Sequence, residues 1–127
     1  MTEVGKYNTL PIVRSVDFGV YLDGGELGEI LLPQRYLPEG SQIGDEVEVF
    51  VFYDSEDRLI ATTERPYAQV GEFAVLKVNS VNPVGVFLDW GLVSKELLVP
   101  FREQRAEMFP GKYYVVYLYV DEVSGRI

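Results

Sequence analysis

The feature that most constrains this chain is that it is written twice. Gly5, Gly19, Leu22 and Asp23 recur 66 positions later as Gly71, Gly85, Leu88 and Asp89. After one inserted residue the offset becomes 67, and Pro33, Gly44, Val49, Asp54 and Ile60 meet Pro100, Gly111, Val116, Asp121 and Ile127. Glycines and aspartates that return at nearly constant spacing, with the same apolar alternation between them, mark a duplicated module. A boundary is expected at "ERPYAQVG" (64–71), where Pro66 and Gly71 interrupt the pattern, giving modules over 1–66 and 67–127.

Each copy reads as short strands. In the first they are expected near 6–14, 16–23, 27–32, 46–53 and 58–63. Val47, Val49 and Val51 alternate with Glu46, Glu48 and Phe50, the period of a half-buried strand. "LPQRYLPEGSQIGD" (32–45) is too rich in proline and glycine for a long helix and reads as an excursion between strands. The second copy repeats the series near 72–80, 81–90, 95–99 and 113–120, and "FREQRAEMF" (101–109) has room for a helix of one or two turns. Its counterpart of the last strand is cut short at "GRI", so the sequence reads as a piece of a longer protein. The fold class expected is all-β, as two tandem five-stranded OB-type barrels, the second lacking its final strand.

Composition narrows the chemistry. Among 127 residues there is neither cysteine nor histidine, which removes thiol catalysis, disulfides, the commonest metal ligand and the usual base near neutral pH. No enzyme activity, metal site or cofactor is expected. Asp23, Asp89, Asp54 and Asp121 stand beside turns and read as carboxylates that bond turn amides. No apolar run approaches a membrane span and the start lacks a secretory pattern, so a cytoplasmic protein without membrane contact is expected.

Formal charge is −9, which opposes non-specific attraction to phosphate backbones. The charge is uneven. Residues 1–66 carry 13 acidic and 5 basic side chains, whereas 67–127 carry 7 and 6. In the second copy Lys95, Arg102 and Arg105 form either a solvated face balanced by Glu96, Glu103 and Glu107 or the place where phosphates are tolerated.

Aromatics are the other candidates, with nine Tyr and seven Phe. Phe18 and Tyr21 lie three positions apart and share a sheet face only if a bend intervenes, which Phe18-Gly19 could provide. Their counterparts are Val84 and Phe87, with Trp90 just beyond. Phe18, Tyr21 and Phe87 either pack in a core or face a ligand. Tyr113, Tyr117 and Tyr119 share one strand face and Tyr114, Val116 and Leu118 the other. One of these faces must be exposed or covered by another domain.

The strings "FGVYLD", "GEILLP", "GDEVEVFVFYD" and "DRLIATT", echoed by "VGVFLD", "KELLVP", "GKYYVVYLYVD" and "GRI", resemble the S1 RNA-binding domain. That resemblance implies nucleic-acid-contacting aromatics at Phe18 and Tyr21 and, in the second copy, at Phe87 alone, since Val84 replaces the first. The family's frequent histidine after the third strand meets Pro33 and Pro100 here. The "LLP" and "LLVP" endings and the acidic tandem copies further resemble the amino-terminal part of the conserved virulence factor B family, which is bacterial and cytoplasmic. This implies an RNA-associated regulatory module whose partners are single-stranded RNA and further carboxy-terminal domains. The candidate contacts are then Phe18, Tyr21, Phe87, Lys95, Arg102 and Arg105. The competing reading is a non-catalytic scaffold or protein-interaction module.

Overall fold

The computed structural model describes residues 2–54, 56–93, 95–104, 107–120 and 127. Arg105, Asp121 and most of "GRI", the shortened counterpart of the last strand, lie outside the described residues. The chain divides into two compact units, Met1–Arg65 and Pro66–Ile127.

The first unit is a closed barrel of β1 (Tyr7–Val16), β2 (Gly19–Asp23), β3 (Glu29–Pro33), β4 (Glu46–Tyr53) and β5 (Leu59–Thr62). Strand order around it is β1-β2-β3-β5-β4, with β4 returning to β1. The alternation on β4 does what the sequence predicts: Val47, Val49 and Val51 point into a core with Ile12, Leu22 and Ile30, while Glu46 and Glu48 face solvent. Further along β4, Phe50 and Phe52 are buried as well and stack at 6.0 Å, with Tyr7 edge-on to Phe50. The excursion after β3 holds a 3₁₀ turn, Gln34–Tyr36.

The second unit repeats the plan. Its strands are β6 (Phe73–Val81), β7 (Gly85–Leu88), β8 (Leu97–Pro100) and β9 (Tyr113–Tyr117), in the order β8-β7-β6-β9. This is the order of the first four strands of the barrel without the bridging fifth, so the described sheet is open. The duplication reaches individual hydrogen bonds. Gly44 N–H donates to the Ile12 carbonyl and Ile12 N–H to that of Asp45; Gly111 N–H donates to Val78 and Val78 N–H to Lys112. Gly5 N–H donates to Val51, and Gly71 N–H to Leu118. Asp23 and Asp89 accept from the amides of Gly25 and Gly91 at 2.9 and 3.0 Å, the turn role read from the sequence.

The segment after β8, which has room for a helix of one or two turns, holds a single 3₁₀ turn among its described residues, Phe101–Glu103, before the chain extends at Gln104. One expectation needs correction. Phe18 is not in the second strand but in the turn before it. β2 begins at Gly19, where a side chain is impossible: a Cβ there would stand 2.2 Å from the Leu32 carbonyl oxygen.

Candidate nucleic-acid interface

The outward face of the first barrel is built by a β-bulge. Ile12 pairs with Leu22, but the next aligned pair is Arg14 with Tyr21, so Val13 is the extra residue on β1. Without it Arg14, two residues after the inward Ile12, would also point into the core. The bulge turns it outward beside Tyr21. The guanidinium carbon then lies 4.2 Å from the centre of the Tyr21 ring, within cation–π range. Glu29, at the start of β3, receives the Arg14 Nε–H on both carboxylate oxygens at 3.1 and 3.2 Å, and Nη2 lies 3.1 Å from Oε1. The Glu29 hydrogen bond outweighs slight desolvation and pushes the Arg14 pKa further up.

Phe18 meets this group from the turn. Its ring is 6.4 Å from that of Tyr21 and nearly perpendicular, at 82°. Gln34 N–H donates to the Phe18 carbonyl at 3.0 Å and ties the turn to the end of β3. Phe18 is 58% exposed, whereas Tyr21 is half-buried beneath Arg14. The strand registers continue the row: Tyr21 pairs with Leu31, and Leu31 with Ile60. These two outward residues are half-buried, so an apolar strip runs from the aromatic pair across β3 to β5. Arg35 stands in the adjoining 3₁₀ turn, 4.9 Å over Tyr36.

The second unit keeps the bulge and changes the residues. Val78 pairs with Leu88 and Ser80 with Phe87, so Ser80 takes the place of Arg14. Phe87 is half-buried on β7 opposite Leu98. The β7–β8 ladder runs from Leu88–Leu97 to Gly85–Pro100. Lys95 therefore lies beyond one end and Arg102 beyond the other, so these cations flank Phe87 instead of clustering. Arg102 is exposed and 3.8 Å from Glu103. Val84 is exposed where Phe18 stands in the first copy. Phe101, also exposed, follows Pro100 at the same end of the ladder and supplies an aromatic at the position of Gln34.

The sequence thus pointed to Phe18 and Tyr21, which lie together, and passed over Arg14 and Arg35. The first copy is acidic in sum, yet two of its five basic residues lie over aromatic rings, Arg14 over Tyr21 and Arg35 over Tyr36. Among the described residues no group of His, Cys, Asp and Glu side chains is placed to hold a metal ion, and no helix is long and apolar enough to cross a membrane.

Comparison with known proteins agrees with this architecture. Residues 4–64 match the S1 domain. The uncharacterized protein YitL of Bacillus subtilis (strain 168) is 41% identical over 96 residues, which cover 75% of this chain and 32% of that protein. The chain therefore spans about a third of the length of this curated relative. A crystal structure from Streptococcus pneumoniae TIGR4, described as a multidomain protein with nucleic acid binding domains, superposes with a TM-score of 0.79 at 24% identity. The match covers 97% of this chain and 44% of that one, and shows likeness of fold. The chain is an all-β pair of tandem OB-like folds, the first of which matches the S1 domain over residues 4–64.

Proposed function

We propose that the chain binds single-stranded RNA weakly, as the S1-like portion of a larger cytoplasmic, RNA-associated regulatory protein of the conserved virulence factor B type. The observation that carries this reading is the exposed Phe18 ring set edge-on to Tyr21, with Arg14 over the Tyr21 face. Unstacked bases lie on such rings, and a neighbouring guanidinium meets the phosphate between them. The tandem S1-like fold and the nucleic-acid-binding domains described for the pneumococcal structure support it. The net charge of −9 keeps the affinity low. The second module has its own candidate contacts, Phe87, Lys95 and Arg102, with Arg105 as a further candidate from sequence.

The test is fluorescence anisotropy with labelled single-stranded oligoribonucleotides, comparing the protein with a Phe18→Ala, Tyr21→Ala, Phe87→Ala triple variant. Salt-dependent binding that the triple variant loses is the expected result. Equal binding by both proteins, or none by either, removes the role.

A scaffold role is favoured by a different observation. The outer face of β6 and β9 exposes Phe73, Val75, Val115 and Tyr117 together, as protein-contact surfaces do. Chemical-shift mapping separates the two readings. RNA shifts the amides around Phe18 and Tyr21, whereas a protein partner shifts those of β6 and β9.

A further inference from the structure

We propose that Glu29 is a built-in competitor for phosphate: it holds Arg14 over Tyr21 in the free protein and yields it to the phosphodiester of a bound single strand. The inference rests on the RNA-binding reading and names a residue that tunes it.

The Arg14 guanidinium is held twice, by the ring beneath it and by the carboxylate beside it. Glu29 is acceptor-only when ionised and engages the Nε–H edge with both oxygens, the arrangement a phosphate would adopt in its place. The pair is open to solvent, at 52% and 45% side-chain exposure, so an incoming strand reaches it without disturbing the core. The second module shows what the carboxylate does alone. There Glu96 takes the place of Glu29, the arginine is replaced by Ser80, and Glu96 accepts instead from the Asn79 amide at 2.8 Å. Among the described residues, only the first copy places a cation and its competitor on the aromatic face. Exchange of Glu29 for phosphate leaves Arg14 stacked and its charge neutralised throughout. Affinity is therefore lowered by the strength of one exposed ion pair.

Glu29→Gln should tighten binding of a single-stranded oligoribonucleotide by about two- to fivefold, the worth of such a pair. Glu46→Gln, which removes an equal charge from an exposed position on β4, serves as the control. The gain should vanish in an Arg14→Ala background, where the salt slope of log Kd should also fall by about 0.7, one phosphate contact. If the parent binds and Glu29→Gln does no better than Glu46→Gln, the competitor role is wrong while RNA binding stands. The same holds if the gain survives without Arg14. If neither the parent nor Glu29→Gln binds, both readings fall together.

Discussion

The indole N–H of Trp90 donates to the Ala68 carbonyl at 2.9 Å, and the Trp90 carbonyl accepts from Tyr67 N–H at 3.0 Å. The segment leading into the second module is thereby laid over a tryptophan that is itself 1% exposed. At the repeat-equivalent position the first copy has Gly24, where even a Cβ would stand 2.6 Å from the Gly28 oxygen, so this indole belongs to the second core alone. Trp90→Ala should destabilise the second unit by about 3–5 kcal/mol, and Trp90→Phe by about 1–3 kcal/mol through the orphaned Ala68 carbonyl. Hydrogen exchange resolves the two units. Protection should fall at Val78 and Val86 and persist at Val20 and Val49. Uniform loss across both would contradict the assignment of Trp90 to one core.

Gly19 and Gly85 are fixed by backbone contact. A Cβ would stand 2.2 Å from the Leu32 oxygen at the first and 2.5 Å from the Val99 oxygen at the second. Neither oxygen can withdraw, because both belong to paired strands. Gly19→Ala should cost about 3 kcal/mol or more. Gly40→Ala should cost about 1–2 kcal/mol, since its φ of +82° is strained for alanine but nothing lies within 4 Å. Denaturant midpoints for the two variants test the order, and comparable losses would show that steric contact is not the larger effect.

How much of this was legible in advance depends on range. Local alternation located β4 because its inward valines and outward glutamates follow period two without interruption. Matched glycines and aspartates revealed the duplication. Arg14 was hidden for the same reason that β4 was clear: Leu10, Ile12 and Arg14 have one parity, so alternation puts the arginine inside. The bulge at Val13 breaks that parity, and no residue near it announces a bulge as a glycine would. In the second copy Asn79 carries the same irregularity. A bend was expected at Phe18-Gly19, but the approach of Phe18 to Tyr21 comes from a turn preceding β2. The Trp90–Ala68 bond joins residues 22 positions apart and has no local signature.

Asp54 should make the first barrel sensitive to acid. The residue is 4% exposed, and desolvation, the largest single effect, raises its pKa. Backbone N–H groups of Arg58 and Glu56 and the Arg58 guanidinium together outweigh this, and the net shift is downward. A carboxyl whose folded pKa lies below its unfolded value contributes full stability above the unfolded pKa. It loses that contribution as pH falls from the ordinary carboxylate range through the folded pKa. Asp54→Asn should therefore cost about 1.5–3 kcal/mol at pH 7, the range for hydrogen bonds to charged groups. Below the folded pKa the variant and parent should converge. Urea unfolding at both pH values measures the gap, and a gap independent of pH would assign the loss to shape instead of charge.

The outer face of β6 and β9 should tolerate charge where the inner face tolerates nothing. Val75 and Val115 are cross-strand partners, 61% and 70% exposed, between the Phe73–Tyr117 ring pair on one side and Lys77–Tyr113 on the other. Leu76, one residue along β6, is 1% exposed and points to the core. A Val75→Lys, Val115→Glu double variant places opposite charges across the ladder. It should change stability by no more than about 0.5 kcal/mol, while Leu76→Ala should cost about 2–5 kcal/mol. The double variant should also elute earlier from a hydrophobic-interaction column, because it divides a continuous apolar surface. If it is as unstable as Leu76→Ala, Val75 and Val115 are buried in solution by contacts between molecules, and the scaffold reading gains over the RNA-binding one.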